Sequence, residues 1–362
     1  MAVRLRILTP SLEDGIGMSV AYRSLMLAAE CDVQVGVLNL AGKRNKSRLE
    51  RAGVRVIDLG KRYRFDPMSI GRALKWARAT GVDIVQAEQT SAYPHAWMIS
   101  RCLDAPLVVW LNTPISPFEG PSWHIRWGSR FMFPRADHTV CNSHYTRGRL
   151  LHYYPSLAER SSVIYHCIEE KFFFPSGRRP LRTVGVVTTM ISVKKLERLL
   201  RAWPQVVARF PDATLEVYGD GPERARWEAL AQELHLSSGV RFHGFVNDVA
   251  EALSKIGVFV LPTEGEAFGQ AFVEAMLMER PCVGVQSGGV PEIVVNGETG
   301  LLVPPGDDPH PLAQAILRLL EQPDQADTMG KAGRMRALAC FAPEAVRPTY
   351  MAFYRRLMEK RR

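Results

Sequence analysis

Leu261-Pro-Thr-Glu-Gly-Glu266-Ala-Phe-Gly269-Gln-Ala-Phe-Val-Glu274-Ala-Met-Leu-Met-Glu279 is the stretch from which the rest of this chain is read. It grows out of Val258-Phe-Val-Leu261, an apolar run with the composition of a buried strand. Pro262 and Gly265 mark a turn. Beyond Gly269 the spacing is helical: Phe272, Ala275, Met276 and Glu279 fall at i, i+3, i+4 and i+7, an apolar stripe with a polar last member. Gly269 lets the chain bend sharply and lets a ligand approach the backbone. A helix start offers free N–H groups and the positive end of the dipole, a seat for phosphate. Glu266 precedes the helix and Glu274 lies in its first turns; an ionised carboxylate accepts two O–H donors at once. A diphosphate on the helix start with a polyhydroxyl group on each side fits this pattern, and that describes a sugar nucleotide. The plainer alternative is a capped helix carrying two solvated glutamates.

Glu266-Ala-Phe-Gly-Gln-Ala-Phe-Val-Glu274 resembles the E-x7-E signature of retaining GT-B glycosyltransferases of the GT4 type (glycosyl transferases group 1). The resemblance runs on through Arg280-Pro-Cys-Val283, Ser287-Gly-Gly-Val-Pro-Glu292 and Asn296-Gly-Glu-Thr-Gly300-Leu-Leu-Val-Pro-Pro305. It is close over the C-terminal half and loose over the N-terminal half. It implies an α/β chain with the GT-B fold, two Rossmann-like α/β/α domains whose parallel sheets face a central cleft. By the same resemblance Glu266 and Lys194 are catalytic, Glu266 holding hydroxyls of the donor sugar. Lys194, eight residues before Ala202, matches the family's phosphate-binding lysine. Glu274 would bind the ribose hydroxyls, and Phe268, Gly269 and Gln270 would hold the diphosphate. Gly15 and Gly17 resemble the glycine loop that faces the donor phosphates from the N-domain. Gly219-Asp-Gly221-Pro222 is a family-like turn, and the base lies against the backbone near Val246, with uridine and guanosine both open. No metal or other cofactor is implied beyond the nucleotide-sugar donor, because a lysine and a helix dipole stand in for it. The reaction implied proceeds on one sugar face, the departing phosphate taking the acceptor's proton.

Two departures bear on activity. Where the family often has a histidine after the fourth and fifth strands, this chain has Glu88 and Asn112, each still able to hydrogen-bond a sugar or an acceptor hydroxyl. Most members carry an arginine a few residues before the lysine; here Val186-Val-Thr-Thr-Met190 has no cation. A second function class is therefore a degenerate glycosyltransferase fold that binds a sugar nucleotide or acceptor without turnover. A third is an epimerase or phosphorylase on the same fold. A nicotinamide dehydrogenase is disfavoured, since Val20 occupies the third glycine position and the second strand ends in Asn39-Leu40 without the acidic residue that holds a ribose.

Composition sets the remaining bounds. The 362 residues are 46% hydrophobic, enough for two ordinary cores. No apolar run approaches the ~18 residues of a membrane span. Met1 to Pro10, broken by Arg4 and Arg6, reads as a first strand and not as a signal peptide. The six cysteines are scattered without a CxxC pair, as suits thiols in a reducing cytosol, and the nine histidines form no metal-binding spacing. Net charge is +9, with 23 Lys/Arg against 15 Asp/Glu in residues 1–176 and 23 against 22 in residues 177–362. A basic N-terminal half suits an anionic membrane surface or an acidic acceptor. Nucleic acid is not expected, because no groove-reading motif accompanies the charge. Between Phe118 and Arg135, aromatic Trp123, Trp127, Phe131 and Phe133 alternate with Arg126, Arg130 and Arg135, the composition of an interfacial helix or of a helix packing its rings inward. The expected location is the cytoplasm, with peripheral association at the inner face of the membrane.

Strand-like runs at Val3–Thr9, Val33–Leu40, Val54–Leu59, Asp83–Ala87, Leu107–Leu111, Thr139–Cys141 and Ser162–Ile164 alternate with helical stretches, the mark of a parallel sheet covered on both faces. Pro175-Ser-Gly-Arg-Arg-Pro180 reads as a linker. A second alternating series follows, opening with Thr183–Thr188 and a helix expected over Lys194–Ala202. The chain thus reads as an acceptor-side domain over 1–176, a nucleotide-sugar domain over 177–342, and a terminal helix over 343–362 that by resemblance returns to the first domain.

Overall fold

The computed structural model describes residues 2–12, 15–40, 44–63, 66–114, 133–168, 173–175, 179–236 and 239–359. The chain divides into two compact units, one formed by Met1–Ile168 with Pro343–Arg362 and the other by Glu169–Ala342.

The first unit carries strands β1 (Val3–Thr9), β2 (Cys31–Val37), β3 (Arg55–Asp58), β4 (Ile84–Glu88), β5 (Leu107–Leu111), β6 (His138–Cys141) and β7 (Ser161–Val163). Helices α1 (Gly15–Leu27), α2 (Arg44–Arg51), α3 (Pro67–Thr80), α4 (Gln89–Leu103) and α5 (His144–Tyr153) connect them. All pairings are parallel, in the order β3-β2-β1-β4-β5-β6-β7. Strands such as β4 and β5 are buried at every position, which is why they read as apolar runs without alternation.

The second unit carries β8 (Thr183–Val187), β9 (Thr214–Tyr218), β10 (Val240–Gly244), β11 (Val258–Leu261), β12 (Cys282–Val285) and β13 (Gly300–Val303), in the parallel order β10-β9-β8-β11-β12-β13. Its helices are α6 (Leu196–Arg209), α7 (Arg224–Glu233), α8 (Val249–Ser254), α9 (Gln270–Leu277), α10 (Val290–Ile293), α11 (His310–Glu321) and α12 (Pro323–Phe341). The last helix, α13 (Pro343–Glu359), belongs to the first unit. Its Val346, Tyr350, Met351, Phe353 and Tyr354 join the core formed by Leu5, Ile7, Val20 and Trp110. Trp110 and Tyr350 stack with centroids 5.3 Å apart and rings 9° from parallel.

Three local expectations are corrected. The helix after Gly269 ends at Leu277, two residues before Glu279. Glu279 takes a left-handed backbone (φ 58°), its N–H donates to Met276 O (2.9 Å), and Arg280 N–H donates to Ala275 O (2.9 Å). That pair of bonds closes the last turn in a Schellman motif, and Pro281 forbids continuation. The helix is also not striped: Phe272 through Leu277 are all buried, including Glu274, because α12 covers the side away from the sheet. Lys194 is not helical; it ends a 3-10 turn, Lys195 reverses the chain at φ 48°, and α6 begins only at Leu196.

Phe133, counted among the interfacial aromatics, is fully buried and meets Tyr93 edge-on at 5.3 Å. Trp123, Trp127 and the rest of that segment up to residue 132 lie outside the described residues.

Candidate functional site

In each sheet, chain order reverses at one point, between β1 and β4 in the first unit and between β8 and β11 in the second. Connections leave such a point in opposite directions, opening a crevice at the carboxyl ends of the two central strands where ligands of open α/β sheets bind. Lys194 follows β8 and Glu266 follows β11, so the second unit places both at its reversal point.

They are in direct contact. Lys194 Nζ donates to Glu266 Oε2 at 2.6 Å, each side chain about one-fifth exposed. The next lysine makes a parallel clip: Lys195 Nζ donates to Glu264 Oε1 (3.0 Å) and to Asp307 Oδ1 (3.0 Å). The left-handed turn at Lys195 sends two successive lysines to two alternate glutamates. Gly306 N–H also donates to Glu264 (2.9 Å), and this bond, with Lys195, holds the Glu264 carboxyl below the usual range against the opposing effect of burial. Thr263 Oγ1 donates to Val193 O (3.1 Å) and ties the two loops together.

The backbone around Glu266 is packed too closely for side chains. Gly288 has φ 66°, and a Cβ there would stand 2.5 Å from Glu266 O and 2.6 Å from Glu266 N. Gly289 N–H donates to Glu266 O at 2.7 Å. Gly269, at φ 97°, precedes α9, so the N–H groups of the first turn point to the Phe268-Gly269-Gln270 bend. Glu274 sits one turn in, buried, with Gln270 Nε2 donating to its Oε1 at 2.7 Å. Burial pushes the Glu274 carboxyl up to about 7, partly offset by Gln270.

Gly221 lies beside the Lys194 loop: at φ 157° its Cβ position would fall 2.4 Å from Met190 O, and Met190 N–H donates to Asp220 O. Val246 is half-buried just past Gly244, the bulged end of β10, with Phe245 exposed before it. Thr189, two residues past the end of β8, is exposed.

The first unit holds its candidates differently. Gly15 opens α1 itself, and Gly17 permits the approach of the Leu12 backbone, whose carbonyl carbon would lie 2.3 Å from an added Cβ. Glu88 is fully buried and ion-paired to the equally buried Arg23 of α1. Gln86 Nε2 (2.6 Å) and Asn112 Nδ2 (2.9 Å) donate to the same carboxylate. Asn142 Nδ2 then bonds Asn112 O (3.1 Å) and His166 Nε2 (3.2 Å). Burial, with the Arg23 charge, pushes His166 down to about 3, so its ring is neutral and accepts from Asn142. Tyr354 of α13 donates to Gln86 Oε1 (2.6 Å). Glu88 and Asn112 are thus brought together, but as parts of an internal network: Glu88 has no exposed surface, so contact with a substrate would require the network around it to open. Arg23, Gln86 and His166 carried no signal in the sequence, since nothing in their spacing relates one to another. Among the described residues no group of three or more His, Cys, Asp or Glu side chains is placed to hold a metal ion. No helix among them is long and apolar enough to cross a membrane.

Comparison with known proteins agrees with this fold. The family described as Glycosyl transferases group 1 matches residues 181–322, and Glycosyltransferase Family 4 matches residues 14–172. N-acetyl-alpha-D-glucosaminyl L-malate synthase of Bacillus anthracis is 30% identical over 202 residues, 53% of this chain and 52% of that protein. Alpha-D-kanosaminyltransferase of Streptomyces kanamyceticus is 26% identical over 287 residues, 73% of this chain and 74% of its own. The chain spans about half the length, or less, of most of the curated relatives it matches. Among solved structures, Anabaena HepE in complex with UDP and glucose superposes with a TM-score of 0.84 at 20% identity, covering 97% of this chain and 99% of that one. Sucrose-phosphate synthase from Thermosynechococcus elongatus gives 0.84 at 22% identity, covering 99% and 100%. With two parallel α/β units, the E-x7-E stretch at a reversal point and both halves matched, the chain belongs to the GT4-type, group 1 glycosyltransferases and has their GT-B fold.

Proposed function

We propose that the protein is a retaining glycosyltransferase that moves a sugar from a nucleoside-diphosphate sugar to an acceptor hydroxyl without a metal ion. The observation that carries this reading is the junction of Lys194, Glu266 and the bend at Gly269 on one crevice, with Glu274 one turn away. Glu274 takes the ribose hydroxyls and Glu266 those of the donor sugar. The N–H groups at Phe268-Gly269-Gln270 and the Lys194 ammonium hold the diphosphate. As the glycosidic bond breaks, its electron pair moves to the leaving phosphate, and donors already aimed there lower the barrier. The acceptor oxygen bonds to the anomeric carbon from the same face and its proton passes to the departing phosphate oxygen. The first unit is assigned the acceptor, with Asn112 near it and Glu88 as its buried support. The UDP-glucose complex of HepE supports a nucleotide-sugar donor. A GDP-mannose-dependent mannosyltransferase of Mycolicibacterium smegmatis, 32% identical over 171 residues, keeps guanosine alongside uridine.

A labelled-donor assay with product analysis tests the reading. Transfer with the donor's anomeric configuration kept, at a rate indifferent to EDTA, is the expected result; inversion or a metal requirement removes the mechanism. A second reading, binding without turnover, is favoured by the stretch Val186-Val-Thr-Thr-Met190, which has no cation in the region where most family members carry an arginine. Tight UDP or GDP binding with neither transfer nor hydrolysis would select it.

A further inference from the structure

The charge of this chain is concentrated in one place. Residues 41–80 hold twelve Lys/Arg against three Asp/Glu, a net of +9 that equals the formal net charge of all 362 residues. In the fold this segment supplies α2, β3, the β3–α3 loop and α3. Because β3 is an edge strand, with α2 packed on α1 and α3 packed on α4, the segment forms one flank of the first unit. Arg51, Arg55, Arg62, Lys75 and Arg78 are exposed there, and none makes an ion pair among the described residues. α3 contains no acidic residue, and its outward row is Met68, Arg72, Lys75 and Arg78. Tyr63, 72% exposed, follows Arg62, and Met68, 73% exposed, stands one turn from Arg72.

Cations alone would make a solvated face. Arg72 pairs with Asp66, but large apolar side chains set among cations of which five have no ion pair among the described residues fit an interface with charge outside and hydrocarbon beneath. We propose that this flank docks on an anionic lipid bilayer, its cations over headgroup phosphates and Tyr63 and Met68 at the headgroup–acyl boundary. Each Lys or Arg near an anionic leaflet contributes about 1 kcal/mol within a Debye length. An amphipathic tyrosine ring is suited to that depth. A nucleic acid would use the same cations but gains nothing from exposed Met68, and no groove-reading motif accompanies them. The inference does not depend on the donor site, because lipid binding is read without turnover.

The test is sedimentation of the full chain with phosphatidylcholine vesicles, with and without phosphatidylglycerol. Binding should require phosphatidylglycerol and fall with salt. Replacing Arg51, Arg55, Arg62, Lys75 and Arg78 with Gln should weaken it at least about tenfold, with UDP or GDP affinity unchanged. Tyr63→Ser with Met68→Ser should weaken it severalfold at constant charge. Equal sedimentation of either variant overturns the proposal. So does loss of binding on replacing Trp123 and Trp127 alone while the charge variant still binds, or retention of a DNA duplex at a salt concentration where vesicles are not bound.

Discussion

Lys194 Nζ lies 2.6 Å from Glu266 Oε2, so the cation and the carboxylate assigned to the donor neutralise each other across the crevice. Under the proposed function, an entering diphosphate takes Lys194 from Glu266 and a sugar hydroxyl replaces the ammonium on the carboxylate, so that the observed pair is the contact that donor binding breaks. Lys194→Ala should lower kcat by roughly 10²–10³, the usual loss for one electrostatic donor, with little change in stability, since the pair is partly exposed. Turnover with a saturating donor, compared with the denaturation midpoint, checks this; an unchanged rate removes Lys194 from the site.

Glu274 gives a pH signature. Its ordinary pKa of 4.5 is raised to about 7 in the fold, mainly by burial. The folded chain therefore holds this proton more tightly than the unfolded chain does. The group's contribution to stability is full below about 4.5 and is lost as pH rises through 7. Glu274→Gln should accordingly gain roughly 3 kcal/mol of stability at pH 8 relative to pH 4, while binding UDP or GDP more weakly. In the unsubstituted protein, nucleotide affinity should climb as the carboxyl ionises near pH 7, a component that Glu274→Gln lacks. Denaturation and titration calorimetry across that window measure both.

Gly288 and Gly297 form an internal comparison. Both have positive φ, 66° and 83°, but a Cβ at Gly288 would collide with Glu266 whereas a Cβ at Gly297 would meet nothing within 4 Å. Gly297→Ala should cost only the ~1–2 kcal/mol of a left-handed residue. Gly288→Ala should cost more and also weaken nucleotide binding, because the Glu266 backbone must move. Equal effects on binding would show that the two loops do not differ in their bearing on the site.

The Arg23–Glu88 pair is buried on both sides. Removing one partner leaves an uncompensated internal charge, so Glu88→Ala should destabilise by about 3–5 kcal/mol. Arg23→Met with Glu88→Leu should cost clearly less than the two single changes added together. A double-mutant cycle by chemical denaturation decides it. If Glu88→Ala lowers activity without lowering stability, Glu88 faces a substrate after all.

Much of this was legible in one dimension. The order of strands followed from apolar runs separated by turn residues, because strands buried on both faces must be apolar throughout. The E-x7-E stretch was legible because a helix start, a bend-permitting glycine and two acids are local in the chain and act locally. The end of α9 was misread, since the left-handed Glu279 is set by closure of the last turn and by Pro281, not by side-chain pattern. Lys194 was placed wrongly in a helix, because Lys195 reverses the chain where its ammonium is held by Glu264 and Asp307.

By itself the sequence determined the two parallel sheets, the family and the residues that crowd one turn, because burial pattern and local spacing are properties of the chain. Only the tertiary structure decided that Glu88 is an interior anchor and that Gln86, Asn112, Asn142 and Tyr354 belong to one network. Those partners lie up to 268 residues apart, and the need to satisfy a buried carboxylate is felt only once the sheet has closed around it.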